Sequence, residues 1–336
     1  MSWLTKCVRG WRQNHLPLPL LRKMLRKDGI ERPRLSFQTG DFYEVTLEKT
    51  EGGLHVRIGR SGEASKFWFW TSHRLAVFAK IVQMTSAKRL CVRASLHDWS
   101  DVPGVMTPCS REPRAILVPD PDFYNSGGYA RLRTHARTAP TWMARSDLIL
   151  WRGSTTGNGA RLPRSSDDLS DPDTLPRIRM CAVLRGLPHV DVRIANVVQT
   201  GDSAGVKALL HSAGLMGDQV PQECWTQHKF AIDIDGNANA WSNFFRSLLF
   251  GCCVLKILSP RGFRQWYYDR LVPFEHFVPV RSDMTDLHQQ IEWCRANLEL
   301  CAQIAANGQR LAFSMGLQEE LTDAARRLEI VQLASP

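Results

Sequence analysis

The chain has 336 residues, 43% of them hydrophobic and 23% charged, which is room for two ordinary domains and excludes a disordered or low-complexity chain. Lysine and arginine outnumber the acids 43 to 33, a formal charge of +10, so an anionic partner is expected: nucleic acid, acidic phospholipid or a phosphorylated small molecule. Nine scattered cysteines with no C-x-x-C pair exclude a disulfide framework and a zinc finger, and point to reduced thiols in the cytoplasm.

At the N-terminus, "MSWLTKCVRGWRQ" lacks the apolar core of a secretory signal. Residues 1–32 form a basic segment in which Leu20, Leu21, Met24 and Leu25 interleave with Arg22, Lys23, Arg26 and Lys27. Such a pattern suits an amphipathic helix on an anionic membrane surface. It equally suits a solvated helix packed on the body of the protein. "DFYEVTLEKTEGGLHVRIGR" reads as two alternating strands joined by a Gly-Gly turn, an antiparallel hairpin. "TSHRLAVFAKIVQMT" places Leu75, Phe78, Ile81 and Val82 at helical spacing. "RLCVRASL" is a strand that ends at "HDW", and "DPDFYNSGGYARLRTHARTAP" is turn-rich at first, with Tyr124 and Tyr129 in a loop. "DLILWRG" is a short buried strand, and "RLPRSSDDLSDPDTLPR" an exposed loop.

The second half alternates more cleanly. "RIRMCAVLRGL" reads as helix, "VDVRIANVV" and "KFAIDID" as strands, "GNANA" as a tight loop, "WSNFFRSLLF" as a helix stopped by Gly251, and "CCVLKI" as a strand. Three helices follow, the last from about Leu317 to Leu328. Strands alternating with helices predict an α/β fold with a mainly parallel sheet. The expected divisions are the basic segment 1–32, an N-terminal domain 33–145, a C-terminal domain 146–315, and a helix in 316–336 that packs back on the first domain.

"WRGSTTGNG" resembles a phosphate loop, but it lacks the lysine of a Walker loop and has the wrong glycine spacing. The unit "KFAIDIDGNANAWSNFFRSLLFGCCVLK" is more informative. A strand, a Gly-containing loop and a helix set unpaired N–H groups at the carboxyl edge of a sheet, where a diphosphate binds well. Ser242 stands in the helix's first turn, and Lys229 and Arg246 can add charge. Asp233 and Asp235 share a strand face, as a metal-binding Asp-x-Asp requires. The same pattern also occurs at Asp120 and Asp122 and at Asp171 and Asp173, where turns are expected. "SLHDWSDVP" puts His97, Asp98 and Asp101 at a strand end, where a carboxylate serves as a general base or an ordinary turn residue. Trp99, Trp151 and Trp241 each flank a candidate loop and offer a stacking face.

In order and spacing, "LHDWSDVP", "DFYNSGGY", "LWRGSTTG", "LPRIRMC", "HKFAIDIDGNANAWS", "LLFGCCVLK" and "YYDRLVPFEHFVPVRSDMTDLHQQIEW" resemble the family 90 glycosyltransferases, from about Leu90 to Phe313. The resemblance implies a GT-B-like fold, two Rossmann-like domains facing across a cleft, and an inverting, metal-independent transfer from a UDP-sugar. Asp98 matches the family's catalytic aspartate. Arg152, Gly153, Ser154, Arg177, Lys229, Gly236, Ser242 and Arg246 match its donor-binding segments. Phe244 stands where relatives often carry a basic residue, and His276 falls in the "HFVPV" segment. No metal or other cofactor is expected. The expected acceptor is a lipopolysaccharide core or another surface glycan, reached from the cytoplasm at the inner membrane face. Two other readings are a protein O-glucosyl- or xylosyltransferase of the same family and a metal-dependent GT-A-type enzyme using "DID". A third is a non-catalytic nucleic-acid-binding protein, for which basic residues interleaved with aromatics along one face are missing.

Overall fold

A computed structural model of the chain describes residues 18–41, 43–59, 68–157 and 161–333. The start of the basic segment, residues 1–17, and Asn158 and Gly159 of the glycine-rich loop lie outside the described residues. Two compact units are formed, one of residues 1–125 with 317–336 and one of residues 126–316.

The first unit contains α1 (Leu18–Lys27), β1 (Arg34–Gln38), β2 (Glu44–Thr50), β3 (Gly53–Gly59), α2 (Trp68–Met84), β4 (Leu90–Ser95), β5 (Met106–Thr107), β6 (Ile116–Leu117) and α3 (Pro121–Asn125). Its sheet runs β1-β3-β2-β4-β5-β6. The hairpin expected from the Gly-Gly turn is present, with Thr50 opposite Gly53. So short a link cannot carry the chain back for parallel pairing. The sheet is therefore mixed: β2 is antiparallel to both neighbours, and the β1–β3, β4–β5 and β5–β6 pairs are parallel. Leu47, Val56 and Ile58 from the sheet meet Leu75, Phe78, Ile81 and Val82 from α2 in one buried core. The C-terminal helix (Leu317–Leu333) adds Leu321, Ala324 and Leu328 to it.

Helix α1 spends its apolar stripe on that same core. Leu21 and Leu25 are each 1% exposed, and burying two leucines contributes roughly 3–6 kcal/mol. Lys23, Arg26 and Lys27 stay exposed. The amphipathic pattern is thus read out mainly as packing, and what remains outside is charge together with Leu20.

At Asp120 the chain turns from the sheet into α3. The carboxylate oxygen Oδ1 accepts from the Phe123 N–H at 2.9 Å, and the side chain is fully buried. Burial, with Asp122 nearby, pushes the carboxyl up to about 7. A folded-state value above the unfolded one means that the stability Asp120 contributes is complete below 3.8 and is lost as pH rises through about 7. Asp120→Asn keeps the capping oxygen and cannot ionise. Its stability relative to the parent should improve by on the order of 2–4 kcal/mol between pH 4 and pH 8, read by urea unfolding at each pH. A difference independent of pH would refute this account.

The second unit contains α4 (Ala130–Arg137), β7 (Ser146–Ser154), α5 (Pro176–Val183), β8 (Val190–Asn196), α6 (Ser203–Ser212), β9 (His228–Asp233), α7 (Ser242–Leu249), β10 (Cys253–Ile257), β11 (Val278–Val280), α8 (Leu287–Ala296) and α9 (Leu298–Ser314). All five strands are parallel, in the order β11-β10-β9-β7-β8. Counted along the chain this is the doubly wound order 2-1-3-4-5, with its reversal between β7 and β9. Gly251 ends α7 at φ +70°, and the Cys252 N–H returns to the Ser247 carbonyl, the hydrogen-bonded stop expected there.

Helices α4 and α6 and strand β11 had no counterpart among the expected elements. In "ARLRTHAR" the apolar residues are only Ala130, Leu132 and Ala136, yet the last two stand one turn apart and both are buried. Arg133 fastens this helix to the second unit by donating to the carbonyls of Ala312 and Met315. That is why the division falls after Asn125 and not at 145.

Candidate functional site

In an open parallel sheet, ligands bind beyond the carboxyl ends of the strands at the point where the winding reverses. Here that point is bounded by residues 154–156 after β7 and residues 234–236 after β9. Arg177, in the first turn of α5 behind Pro176, joins the two loops. Its Nε donates to the Asp235 carbonyl at 3.0 Å and Nη2 to the Ile234 carbonyl at 3.1 Å. Nη1 donates to Thr156 Oγ1 at 2.7 Å and to the Ser154 carbonyl at 3.4 Å. Burial lowers the pKa of this guanidinium, against the pull of Asp233 and Asp235. Gly236 is required where the loops close: a Cβ there would lie 2.8 Å from Thr156 Oγ1 and 3.0 Å from Arg177 Nη2.

A buried ionic network lies under the same edge. Lys256 Nζ donates to Asp233 Oδ2 at 2.6 Å and Asp235 Oδ1 at 3.0 Å. Asp233 and Lys256 are 0% and 3% exposed. Burial alone would push the ammonium's pKa down, but the two carboxylates outweigh it and raise it. Asn243 Nδ2 donates to Asp233 Oδ1 at 2.8 Å, and Arg246 Nη2 donates to Asn243 Oδ1 at 2.7 Å. Arg246 itself is buried over the Trp225 ring. Asp233 and Asp235 do share a face, as strand alternation requires, but both carboxylates are bonded to an ammonium.

The loop between β9 and α7 is strained and incompletely bonded. Trp241 precedes α7 at φ +49°, ψ −127°, a conformation that costs an L residue about 1–3 kcal/mol. Its N–H donates to Asn239 Oδ1 at 2.5 Å. No side chain caps α7. Asp235 Oδ2 and Asn239 Nδ2 are buried without a hydrogen bond among the described residues, one an acceptor and one a donor. Buried polar atoms of that kind call for a water or a ligand. A pocket opens beside them, lined among others by Pro176, Asp235, Asn237, Leu258, Ser259 and Arg261.

Of the residues singled out in the sequence, Ser154, Arg177, Gly236 and Ser242 come together at this edge. Gly153 backs it, because a Cβ there would strike the Trp151 ring at 2.4 Å. Arg246 reaches the edge only through Asn243. Lys229 and Arg152 do not face it. Lys229 is the second residue of β9, so it stands about 13 Å from Asp233, toward the opposite edge. There it is bonded to Asp147 at 2.5 Å. Arg152 turns back along β8 to the Asp191 side chain at 2.6 Å and to the carbonyls of Trp151, Asp191 and Asp218. Phe244 is core, and Lys256 Nζ lies 5.4 Å from its ring centroid. His276 Nδ1 accepts from the Val272 N–H within a turn. Neither Asp-Pro-Asp copy gathers ligands. Asp120 caps α3, and Asp171 Oδ1 accepts from the Asp173 N–H in a tight turn.

The first unit holds Asp98 beyond the carboxyl end of β4. Arg74, 5% exposed, donates from Nη1 to the Leu96 carbonyl and from Nη2 to Asp98 Oδ1 at 2.7 Å. The Asp98 side chain is 24% exposed, and Oδ2 makes no hydrogen bond with the described residues. One oxygen is thus fixed by Arg74 and the other is not. His97 beside it is packed edge-on between Tyr43 and Trp99, and burial lowers its pKa. Asp101 is bound to Arg111.

Lys256 was missed, although "CCVLKI" carried the signal. A lysine in a fully buried parallel strand needs charged partners, and the nearby "DID" supplies them. Lys256→Met should leave two buried carboxylates facing each other and destabilise the protein by ~3–5 kcal/mol in urea unfolding. A loss below about 1 kcal/mol would mean that the carboxylates are held some other way.

A 180-residue stretch, half of this chain, is 31% identical to protein 035R of Invertebrate iridescent virus 3, and it makes up 15% of that protein. A stretch of 87 residues, 26% of the chain, is 31% identical to human protein O-glucosyltransferase 3 and is 16% of its length. The chain thus spans only a small part of the curated relatives it matches. Among solved structures, an Anabaena protein, HepE, in complex with UDP and glucose aligns over 95% of this chain and 82% of its own, at 11% identity and a TM-score of 0.37. The model of the family described as glycosyl transferase family 90 matches residues 129–320, which covers the parallel sheet and the loop edge but not Asp98. That match extends over more than half of the chain, and the chain belongs to glycosyl transferase family 90.

Proposed function

We propose that this protein transfers a sugar from a UDP-sugar to a hydroxyl of a glycan or glycolipid acceptor, with inversion and without a metal ion. The observation that carries this reading is the edge between β7 and β9. Two loops fastened by Arg177 meet the uncapped start of α7, beside orphaned polar atoms of Asp235 and Asn239. Helix N-termini favour a diphosphate through their unpaired N–H groups and partial positive charge. In place of a divalent ion the leaving group meets Ser242, the N–H groups of α7 and the remaining N–H of Arg177.

Asp98 serves as the general base, taking the acceptor proton at Oδ2 while Arg74 holds Oδ1. Inversion needs one such carboxylate, acting as the hydroxyl attacks the anomeric carbon opposite the leaving group. Asp98→Asn should lower transfer by ~10²–10⁴-fold and leave UDP affinity unchanged, measured by donor turnover and calorimetry. UDP affinity should fall in Arg177→Ala and stay constant in Lys229→Ala. Substantial transfer by Asp98→Asn would put the base elsewhere. Weakened UDP binding by Lys229→Ala would overturn the placement of the donor.

For the acceptor we favour a lipopolysaccharide core or another lipid-linked surface glycan, met by a cytoplasmic enzyme at an anionic membrane face. The exposed Lys23, Arg26 and Lys27 of α1 support this reading, and no described helix is long and apolar enough to cross a membrane. Because Leu21 and Leu25 of α1 are buried and Leu20 is the large apolar side chain left exposed, attachment would be mainly electrostatic. Co-sedimentation with anionic vesicles should disappear at high salt and on reversing those three charges to Glu; binding indifferent to both would refute it. The likeness to human protein O-glucosyltransferase 3 supports a second reading, a protein acceptor. Acceptor competition assays with peptide and glycolipid separate the two.

A further inference from the structure

Three cysteines of the second unit have no part in that site. Cys253 is the first residue of β10, Cys294 lies in the last turn of α8, and Cys301 in the first turn of α9. They are 0%, 1% and 0% exposed. Their sulfurs all lie within 4.8 Å of one another, and no fourth His, Cys, Asp or Glu joins them among the described residues. Strand β10 reaches the ligand edge only at Lys256, about 10 Å farther along.

We propose that Cys253, Cys294 and Cys301 form a three-coordinate, all-sulfur site for one thiophilic monovalent ion, Cu(I). The chemistry of the donors selects it: soft thiolates prefer Cu(I) and reject hard, oxygen-seeking ions. Zinc in structural sites closes with four ligands, and this cluster has three in an apolar shell that includes Leu255, Ile291 and Ile304. Metal–sulfur bonds of about 2.3 Å set three sulfurs around one ion ~4.0 Å apart, so the cluster needs less than an ångström of closure. The frame around it is short. A single residue, Asn297, separates α8 from α9, and its side-chain amide donates to the Trp293 carbonyl at 2.8 Å. Binding turns thiols into thiolates, releases their protons to solvent and changes no oxidation state. It would brace β10, α8 and α9 together and leave the sugar-transfer chemistry alone.

The full chain, reduced and handled without oxygen, is titrated with Cu(I) against a coloured Cu(I) chelator. The expected result is removal of one equivalent from the chelator, a higher Tm and a sulfur-only shell in X-ray absorption. Cys294→Ser and Cys301→Ser should each lose this uptake with an unchanged far-ultraviolet circular dichroism spectrum, and Cys91→Ser, at an exposed cysteine, should keep it. Uptake that persists in the Cys294→Ser and Cys301→Ser variants, or is lost in Cys91→Ser, overturns the proposal. If the serine variants unfold, the parent protein decides alone: no uptake, or a shell containing nitrogen or oxygen, overturns it equally.

Discussion

A lysine ammonium placed inside a parallel sheet is the constraint on which the second unit depends. Lys256 sits on a strand that is buried along its whole length, and a bare charge there would cost more than the domain's net stability. It is tolerable only because Asp233 and Asp235 project from the neighbouring strand edge toward it. The three groups must be placed together or not at all. This fixes the register of β9 against β10, where Asp233 stands opposite Lys256. It also fixes the start of α7 through Asn243, which bonds the same carboxylate.

From that anchor the loop beyond β9 inherits its shape. With Asp235 drawn down to Lys256, its carbonyl and that of Ile234 are turned toward Arg177, which in turn holds the loop after β7. The chain must then reach the first turn of α7 within a few residues, and the cost appears as the left-handed Trp241. Strain maintained at a ligand edge by rigid neighbours is a common way to hold N–H groups open to a ligand.

Much of this organisation was legible in the sequence, and what was not had physical reasons. The hairpin around Gly52 and Gly53, the alternation of the second half and the stop at Gly251 depend on local chemistry, and local chemistry is what a sequence states directly. The class was legible too: both units are α/β, and the second has the parallel, doubly wound sheet. Strand polarity was the harder matter. Lys229 and Asp233 belong to one apolar stretch, yet they point to opposite edges of a parallel sheet, and only the first is far from the ligand edge. Lys256 went unnoticed because its partners come from another strand. Helix α4 was obscured by five charged or polar residues around Leu132 and Ala136, since its stability comes from what Arg133 and those two side chains meet elsewhere in the unit. The preference for Asp98 over an ordinary turn residue came from the resemblance, and Asp98 lies outside the span that the family model matches.

The charge of the chain also takes on a different meaning. A basic protein with an anionic ligand invites the assumption that lysines and arginines line the site. In the second unit several of them are committed inward instead. Arg145 donates to the carbonyls of Phe250 and Gly251, Arg133 to those of Ala312 and Met315, and Arg152 to three more, while Lys229 and Lys256 are bound to aspartates. These cations complete the hydrogen bonding of helix ends and strand edges, a structural task that arginine's fork of five donors suits. The proposed diphosphate position is therefore left mainly to neutral donors, the opening N–H groups of α7 and the Ser242 hydroxyl, with the remaining N–H of Arg177 as a charged one. Neutral donors held rigidly discriminate by geometry more than by charge. A site of this kind distinguishes a correctly placed diphosphate from the many other anions that a basic surface attracts.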